Sequence, residues 1–298
     1  MTTVLTDAGR GGIAFLKGHG TLNDFVILPD DAAAVDLDAD LVRALCDRRA
    51  GIGGDGVLRI ATGRALVDRG VLDALPTGVD PDDWFMDYRN ADGTVAEMCG
   101  NGVRVFAHAL VATGRAGAGR IAVGTRSGPR PAEILSHAGD DAIVRVDMGE
   151  PRLLGVSTAE IGGRGYAGLA VDMGNPHLAC VVPGLDPAGL AALPVHEAPA
   201  FDAAFFPEGV NVEVATALSG GRVHMRVHER GAGETMSCGT GIVATAVAAL
   251  ADAGESTGDV TVVVPGGELS VTVAGAGSTL TGPSRLVADG RFRAAPAR

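Results

Sequence analysis

Two segments of the chain share one pattern of hydrophobic and polar positions, and each segment predicts a helix. The first helix is predicted over residues 103–113, which are mostly apolar, and it stops at Gly114. The second is predicted over residues 242–251 and stops at Gly254. A glycine just past the last apolar residue is a common helix end, because glycine adopts the left-handed conformation without strain. The pattern therefore predicts two helices of similar length, one in each half.

The agreement between the halves extends to the residues on either side of these helices. Strand-like apolar runs follow at residues 120–124 and 260–264, and each run leads into a turn that contains glycine. A cysteine precedes each helix, and a polar residue, Asn90 or Glu229, stands nine residues before that cysteine. Such agreement at several offsets predicts two copies of one supersecondary unit.

Each of these cysteines stands immediately before a Gly-x-Gly sequence at the start of its predicted helix. The two sequences are Cys99-Gly100-Asn101-Gly102 and Cys238-Gly239-Thr240-Gly241. Glycines at these positions bring backbone N–H groups close to anything bound there. One such turn can be purely structural, but two copies at equivalent places of a repeat indicate a matched pair of functional thiols.

Composition and charge limit the classes of protein that fit this chain. With 298 residues and 46% hydrophobic content, the chain can bury two ordinary cores, so we expect two domains. With a net charge of −12, the chain lacks the basic surface that binding to nucleic acid requires. The longest apolar run, 242–251, is too short to span a bilayer, and residues 1–12 do not resemble a signal peptide. We expect a soluble, cytoplasmic protein that binds neither nucleic acid nor membrane.

The other two cysteines and two further motifs have structural interpretations. Cys46 lies on the apolar side of a predicted helix and Cys180 in an apolar strand, which favours core packing for both. Residues 51–56 match the glycine spacing of a dinucleotide-binding turn, but they follow a helix and enter a strand, the reverse of the required order. His224 and His228 have no third ligand nearby in the sequence, so we predict no metal site.

Two equivalent thiols suit a reaction that inverts a carbon centre. One group removes a proton from one face of the carbon, and the other returns a proton to the opposite face. We expect the helix N-terminus to lower the pKa of a cysteine there toward neutrality, so that one cysteine can start as thiolate while its mate remains thiol. The same helix ends would hold a carboxylate and the charge that develops on it. The N–H groups expected to do so belong to Gly100, Asn101, Gly239 and Thr240. A pyridoxal cofactor is then unnecessary, and lysine occurs only at Lys17.

Seven motifs, taken in order, resemble those of the diaminopimelate epimerases nearly from end to end. The residues that carry the resemblance are His19–Phe25, Cys46–Gly56, Asn90–Gly93 with Cys99–Gly102, Met148–Pro151, Met173–His177, Phe206–Asn211, and Glu229–Thr235 with Cys238–Gly241. Any one motif would be modest evidence. Their number and order make the resemblance specific.

The resemblance implies an isomerase that interconverts LL- and meso-2,6-diaminoheptanedioate without a cofactor, in the biosynthesis of lysine and of peptidoglycan precursors. Cys99 and Cys238 would be the two catalytic bases. The residues that would recognise the distal, unreactive end of the substrate are Asn90, Asn175, Asn211 and Arg230. These side-chain types fit the recognition of an amino-acid end, since arginine can bind a carboxylate through two hydrogen bonds and asparagine can donate or accept a hydrogen bond. Asn23 and Glu229 would lie beside the reacting centre, where Glu229 would bind the ammonium group and could also tune a cysteine. His177 would position or tune a cysteine, or would alternatively be a structural histidine.

The duplication and the resemblance together predict an α+β fold with two pseudo-symmetric domains. Each domain would be a curved, mostly antiparallel sheet wrapped round a central helix, and the cysteine helices would enter a cleft between the domains. We place residues 1–146 and 281–298 in the first domain and residues 147–280 in the second. Closure of the domains would exclude water from the reacting carbon. The family also implies a homodimer.

Three features depart from the pattern common in the family. Gly56 stands where many members have glutamine, and Gly209 stands where many have arginine, so some substrate contacts would differ. Residues 61–83 form a longer segment than usual, and we interpret them as a surface insertion with a short helix.

Two alternative functions belong to different classes. A racemase of the same two-cysteine superfamily could act on proline or hydroxyproline, but a substrate without a second amino-acid end would leave the distal residues without a role. A non-catalytic amino-acid-binding protein would not require paired thiols. A thiol redox protein would favour a Cys-x-x-Cys motif.

Overall fold

The computed structural model describes residues 12–275 and 277–293, and contacts divide the chain into two compact units. The first unit comprises the described residues up to Gly20, then Asp24–Arg145, and the residues from Pro283 onward. The second unit comprises Thr21–Asn23 and Val146–Gly282. Residues 1–11, which belong to the segment that does not resemble a signal peptide, lie outside the described residues.

The first unit surrounds one long helix with strands and two shorter helices. Its elements are β1 (Ile13–Gly20), β2 (Asn23–Pro29), α1 (Ala39–Cys46), β3 (Gly56–Thr62), α2 (Gly63–Asp68), β4 (Trp84–Asn90), α3 (Gly100–Ala112), β5 (Arg120–Ile121), β6 (Val123–Thr125), β7 (Gly128–Pro129) and β8 (Ala132–Ala138). All residues of α3 from Gly100 to Leu110 are buried, so this helix forms the centre of the unit.

The second unit has the same arrangement of strands around a central helix. Its elements are β10 (Arg152–Ile161), β11 (Arg164–Asp172), β12 (Pro176–Val182), α4 (Pro187–Ala192), β13 (Ala200–Phe201), β14 (Asn211–Thr216), β15 (Arg222–Glu229), β16 (Gly233–Thr235), α5 (Gly239–Asp252), β17 (Gly258–Val264) and β18 (Gly267–Ala274). Two long strands, β9 (Asp141–Gly149) and β19 (Gly277–Phe292), contain residues of both units, and so does β2, whose first residue Asn23 belongs to the second unit.

Strand pairing repeats between the units. In the first unit, β2 pairs parallel with β3, β3 antiparallel with β4, and β4 parallel with β6. In the second, β12 pairs parallel with β14, β14 antiparallel with β15, and β15 parallel with β17. Most other pairings are antiparallel. The predicted α+β fold with two related halves is therefore confirmed.

The register of the paired strands shows which residues of the two units are equivalent. Phe25 pairs with the first residue of β3, and His177 pairs with the first residue of β14. Phe25 and His177 are therefore equivalent, and so are Leu58 and Glu213, each the third residue of its strand. Equivalent positions thus hold hydrocarbon side chains in one unit and polar side chains in the other.

The two central helices begin and end close to the places that the sequence predicted. The last helical residue of α3 is Ala112, and Gly114 follows with a φ of 72°. The last helical residue of α5 is Asp252, and Gly254 follows with a φ of 79°. Both helices start before the apolar run, because the Gly-x-Gly sequences already form the first turn. No helix among residues 12–275 and 277–293 is long and apolar enough to cross a membrane.

The segment 61–83 was predicted to be a surface insertion with a short helix. The helix is present as α2, but the surface prediction is wrong for its apolar residues. Leu66, Leu72 and Val79 are buried and pack in one cluster with Phe85 of β4. The segment therefore adds a small hydrophobic core to the first unit instead of lying wholly on its surface.

Candidate active site

Cys99 is the N-cap residue of α3. Its backbone is extended, with φ −149° and ψ 116°, and its Sγ accepts a hydrogen bond from the backbone N–H of Gly102 at 3.4 Å. Gly100 and Asn101 form the first turn, which contains no acidic residue. The first N–H groups of a helix have no partner within it, so this turn offers donors to an anion.

A buried cation interacts electrostatically with Cys99. Arg104 lies wholly buried in α3, and its Nε donates to the carbonyl oxygen of Pro283 at 3.4 Å. Burial lowers the pKa of Arg104 to about 10, while the charge of Cys99 opposes that shift. Arg104 is therefore charged at neutral pH and favours a thiolate at Cys99. The sequence reasoning missed this role, although a lone charge inside an apolar helix was a visible signal.

Cys238 is the N-cap residue of α5 and differs from Cys99 in its surroundings. It is only 6% exposed, and its Sγ lies 3.5 Å from the hydroxyl oxygen of Thr240. Gly239 and Thr240 form the buried first turn, again without an acidic residue. Each of the two cysteines therefore caps a helix whose first turn contains no acidic residue.

The expected lowering of the thiol pKa toward neutrality does not occur at Cys238, which is the cysteine of the pair that remains a thiol. Burial raises the pKa of Cys238 well above its ordinary value, and the carboxylates of Glu229 and Glu213 raise it further. Thr240 and the backbone N–H of Gly241 oppose that shift only in part. Desolvation and two carboxylates thus outweigh the helix terminus, and Cys238 is a thiol at neutral pH.

His177 connects a predicted substrate-binding residue to a buried carboxyl group. Its Nδ1 lies 2.7 Å from Oε1 of Glu213, and its Nε2 lies 3.1 Å from Oδ1 of Asn175. Both side chains of the His177–Glu213 pair are fully buried. Burial raises the pKa of Glu213, although His177 opposes the shift. The sequence reasoning did not identify Glu213, because a glutamate within a strand has no motif of its own.

Asn211 and Arg230 lie together at the ends of neighbouring strands. Oδ1 of Asn211 accepts from the backbone N–H of Arg230 at 2.9 Å, and its Nδ2 donates to the carbonyl oxygen of Pro176 at 3.0 Å. Nη1 of Arg230 donates to the carbonyl oxygen of Glu208 at 2.7 Å. The Asn211 amide thus holds the starts of β12 and β14 against the end of β15, while the Arg230 side chain is exposed.

The remaining predicted residues occupy turns and strand ends. Glu229 ends β15, and its carboxylate accepts a hydrogen bond from the hydroxyl of Thr235. Asn90 ends β4, and its Nδ2 donates to the hydroxyl oxygen of Thr94 at 3.0 Å. Asn23 follows a turn in which Thr21 adopts a left-handed conformation, and it belongs to the second unit.

Two of the three departures from the family pattern, Gly56 and Gly209, have local steric explanations. A Cβ on Gly56 would lie 2.5 Å from the carbonyl oxygen of Arg89 and 2.6 Å from the ring of Tyr88, so no larger residue fits there. Gly209 has a φ of 83°, and a Cβ there would lie 2.9 Å from Cδ of Arg230. Gly209 therefore leaves room for the Arg230 side chain.

Cys46 and Cys180, which the sequence assigned to core packing, are both buried. Burial raises the pKa of Cys46 to about 11 and that of Cys180 to about 12. His228 Nδ1 lies 2.9 Å from the carbonyl oxygen of Val195. The sole lysine, Lys17, forms an ion pair with Asp24 at 2.5 Å. Core packing of Cys46 and Cys180, as predicted, is confirmed by their burial.

The fold defines a class of two-domain α+β proteins in which each half surrounds a central helix. A phenazine biosynthesis protein of the PhzF family from Bacillus anthracis has this fold, with a TM-score of 0.64 and 12% identity over 96% of this chain and all of the other. A hydroxyproline epimerase from Agrobacterium vitis also has it, with a TM-score of 0.61 and 15% identity over 95% of this chain and 92% of the other.

Within this class, the sequence matches one family. The model of the diaminopimelate epimerase family matches residues 15–154 and 169–287. A diaminopimelate epimerase from Mycobacterium ulcerans is 59% identical over 278 residues, which cover 93% of this chain and 96% of the relative. The chain belongs to the diaminopimelate epimerase family.

Proposed function

We propose that this protein interconverts LL- and meso-2,6-diaminoheptanedioate, with Cys99 and Cys238 as the two bases. One observation carries the proposal. In both units of a chain from this family, a strand is followed by a cysteine, a Gly-x-Gly sequence and a helix, in that order. A reaction that inverts one carbon needs two proton-transfer groups, and each unit supplies one. The product serves the biosynthesis of lysine and of peptidoglycan precursors.

The chemistry balances without a cofactor. A thiolate takes the proton from the α-carbon, and the electron pair of the broken C–H bond spreads onto the adjacent carboxylate. The other thiol then donates its proton to the opposite face and becomes the thiolate. The first-turn N–H groups of Gly100, Asn101, Gly239 and Thr240 would stabilise the carboxylate as its charge grows. The reverse reaction uses the same groups in exchanged roles.

The predicted recognition residues complete the proposal. Asn90, Asn175, Asn211 and Arg230 would bind the distal amino-acid end, and Arg230 is exposed and able to bind a carboxylate through two hydrogen bonds. Glu229 would bind the ammonium group beside the reacting carbon, and Asn23 would lie near it. We also propose a cytoplasmic homodimer. Light scattering on the purified protein tests the dimer directly.

Turnover in D2O tests the reaction. With LL-diaminopimelate as substrate, the meso product should carry deuterium at the inverted carbon, because a thiol exchanges its proton with solvent. L-Proline and hydroxyproline serve as controls and should not be racemised. Meso product without deuterium would contradict the two-base mechanism, and racemisation of proline alone would favour the alternative function.

A further inference from the structure

Glu213 and His177 form a buried polar pair next to the start of α5. Nδ1 of His177 and Oε1 of Glu213 lie 2.7 Å apart, and both side chains are fully buried. Within the described part of the chain, no hydrogen-bond partner reaches Oε2 of Glu213. Burying such groups is unfavourable unless their interactions compensate, so this pair lowers the stability that an apolar core would provide.

The first unit shows that the fold does not need polar side chains at these positions. Phe25 is equivalent to His177 and Leu58 to Glu213, and both are fully buried. The same strands around the same kind of helix are thus packed with hydrocarbon in one half of the chain. A polar pair retained only in the other half indicates a role in function rather than in folding.

Hydrogen bonding determines which ring nitrogen of His177 carries a proton. Oδ1 of Asn175 can only accept, so Nε2 of His177 must be the donor in the 3.1 Å contact. Nδ1 and Glu213 then share one further proton, whichever of them holds it. Because a carboxyl group can donate to or accept from Nδ1, Glu213 keeps the proton on Nε2 in either case.

The orientation of Asn175 follows from the same chain of contacts. With Oδ1 bound to His177, the NH2 group of Asn175 points away from the ring as a donor. The side chain is partly exposed at the turn before β12, so this donor is accessible to a ligand. A carboxylate is the ligand group that such a donor suits.

We propose that Glu213 is a positioning residue, which holds His177 with its proton on Nε2 and thereby aims the NH2 group of Asn175 at a substrate carboxylate. This inference rests on the proposed epimerase function, because Asn175 matters only if it binds substrate. Gly241 supports the assignment, since a Cβ there would overlap Oε1 of Glu213. The first turn of α5 has therefore left space for this carboxyl group.

Two substitutions separate the geometry of Glu213 from its acidity. In Glu213→Leu, Nδ1 of His177 loses its partner, so we expect kcat/KM to fall about 10- to 100-fold, mainly through KM. In Glu213→Gln, the amide N–H can donate to Nδ1 and keep the proton on Nε2. We therefore expect this variant to retain most of the wild-type kcat/KM.

The protonation of the ring provides a readout that a purely structural role would not change. Nitrogen-15 NMR of the histidine rings distinguishes a protonated from an unprotonated nitrogen, and His177→Asn identifies the signals of His177. We expect a protonated Nε2 in the wild type and in Glu213→Gln. In Glu213→Leu we expect a mixture of the two tautomers.

Thr216→Val is a matched control for general destabilisation. Thr216 is a buried polar residue on the same strand, and its hydroxyl accepts from the backbone N–H of His224 at 3.0 Å. The Thr216→Val variant should be less stable than the wild type, with no change in KM or in the NMR signals of His177. Glu213→Leu with unchanged KM and unchanged tautomer would overturn the inference. So would Glu213→Gln with a loss as large as that of Glu213→Leu.

Failure of the inference and failure of the proposed function give different results. If the wild type does not turn over diaminopimelate, the proposed function fails, while the NMR signals still decide whether Glu213 fixes the tautomer. If the wild type is active and Glu213→Leu is equally active, only the inference fails.

Discussion

The Sγ atom of Cys99 accepts a hydrogen bond from the backbone N–H of Gly102, and the two atoms lie 3.4 Å apart. Cys238 occupies the equivalent place in the second unit, but its sulfur is buried and interacts with the carboxylates of Glu229 and Glu213. The buried cation of Arg104 interacts with Cys99 instead. The two thiols are thus chemically different, although the chain around them is duplicated.

This difference predicts the order in which the cysteines react with iodoacetamide. Cys99 should be alkylated first, because it is partly exposed and lies near the positive charge of Arg104, which attracts a thiolate. Cys238, Cys46 and Cys180 should react slowly, since they are buried and their thiol pKa values are raised. Peptide mass spectrometry after timed labelling at neutral pH measures the order.

A denatured sample provides the control, in which all four cysteines should react at similar rates. Labelling of Cys238 ahead of Cys99 in the native protein would show that burial and the neighbouring carboxylates do not protect its thiol.

Removal of either thiol that we propose as a base should abolish epimerisation in both directions. Cys99→Ala and Cys238→Ala each remove one of the two proton-transfer groups, so we expect turnover to fall by at least about 100-fold. The circular dichroism spectrum should remain that of the wild type. Cys46→Ala is a suitable control, because Cys46 packs in the core of the first unit and should leave turnover intact. Full activity in either catalytic variant would rule out the two-base mechanism.

Equivalent glycines in the two helix starts should respond differently to alanine. A Cβ on Gly241 would overlap Glu213, whereas a Cβ on Gly102 would meet its nearest neighbours at 3.4 Å or more. Gly241→Ala should lower the free energy of unfolding by about 2 kcal/mol through overpacking. Gly102→Ala should leave it unchanged or raise it slightly, because alanine favours helix. Urea unfolding of both variants tests this, and equal losses would contradict the assigned position of Glu213.

Asp24 should stabilise the first unit in a pH-dependent manner. Burial alone would raise the pKa of Asp24, but hydrogen bonds from Arg48 and Lys17 hold it well below its ordinary value. A depressed pKa in the folded state stabilises the protein above the unfolded pKa, and the benefit is lost as pH falls. Asp24→Asn should therefore cost about 2 kcal/mol at neutral pH. The difference from wild type should shrink below about pH 4.

Urea unfolding at neutral and acidic pH measures this difference. Asp40→Asn removes the same charge from an exposed ion pair with Arg43 and should change stability little at any pH. A constant difference between Asp24→Asn and wild type down to acidic pH would show that the carboxylate charge is not the cause.

Local patterns allowed much of the fold to be predicted. The helices after Cys99 and Cys238 follow from apolar runs and terminal glycines, and both are present. The burial of Cys46 and Cys180 follows from their apolar neighbours in the sequence. The segment 61–83 was misjudged, because its leucines are spaced too irregularly to show which of them pack against β4.

The sequence by itself determined the duplicated unit, the pair of cysteines at helix starts and the family, since these are properties of residues close together along the chain. Only the tertiary structure decided the environment of each sulfur. The strands that bring Glu213 and His177 to the start of α5 are separated from it in sequence, and burial among those strands controls the pKa of Cys238. Desolvation depends on what packs around a group in three dimensions, and no local pattern encodes it.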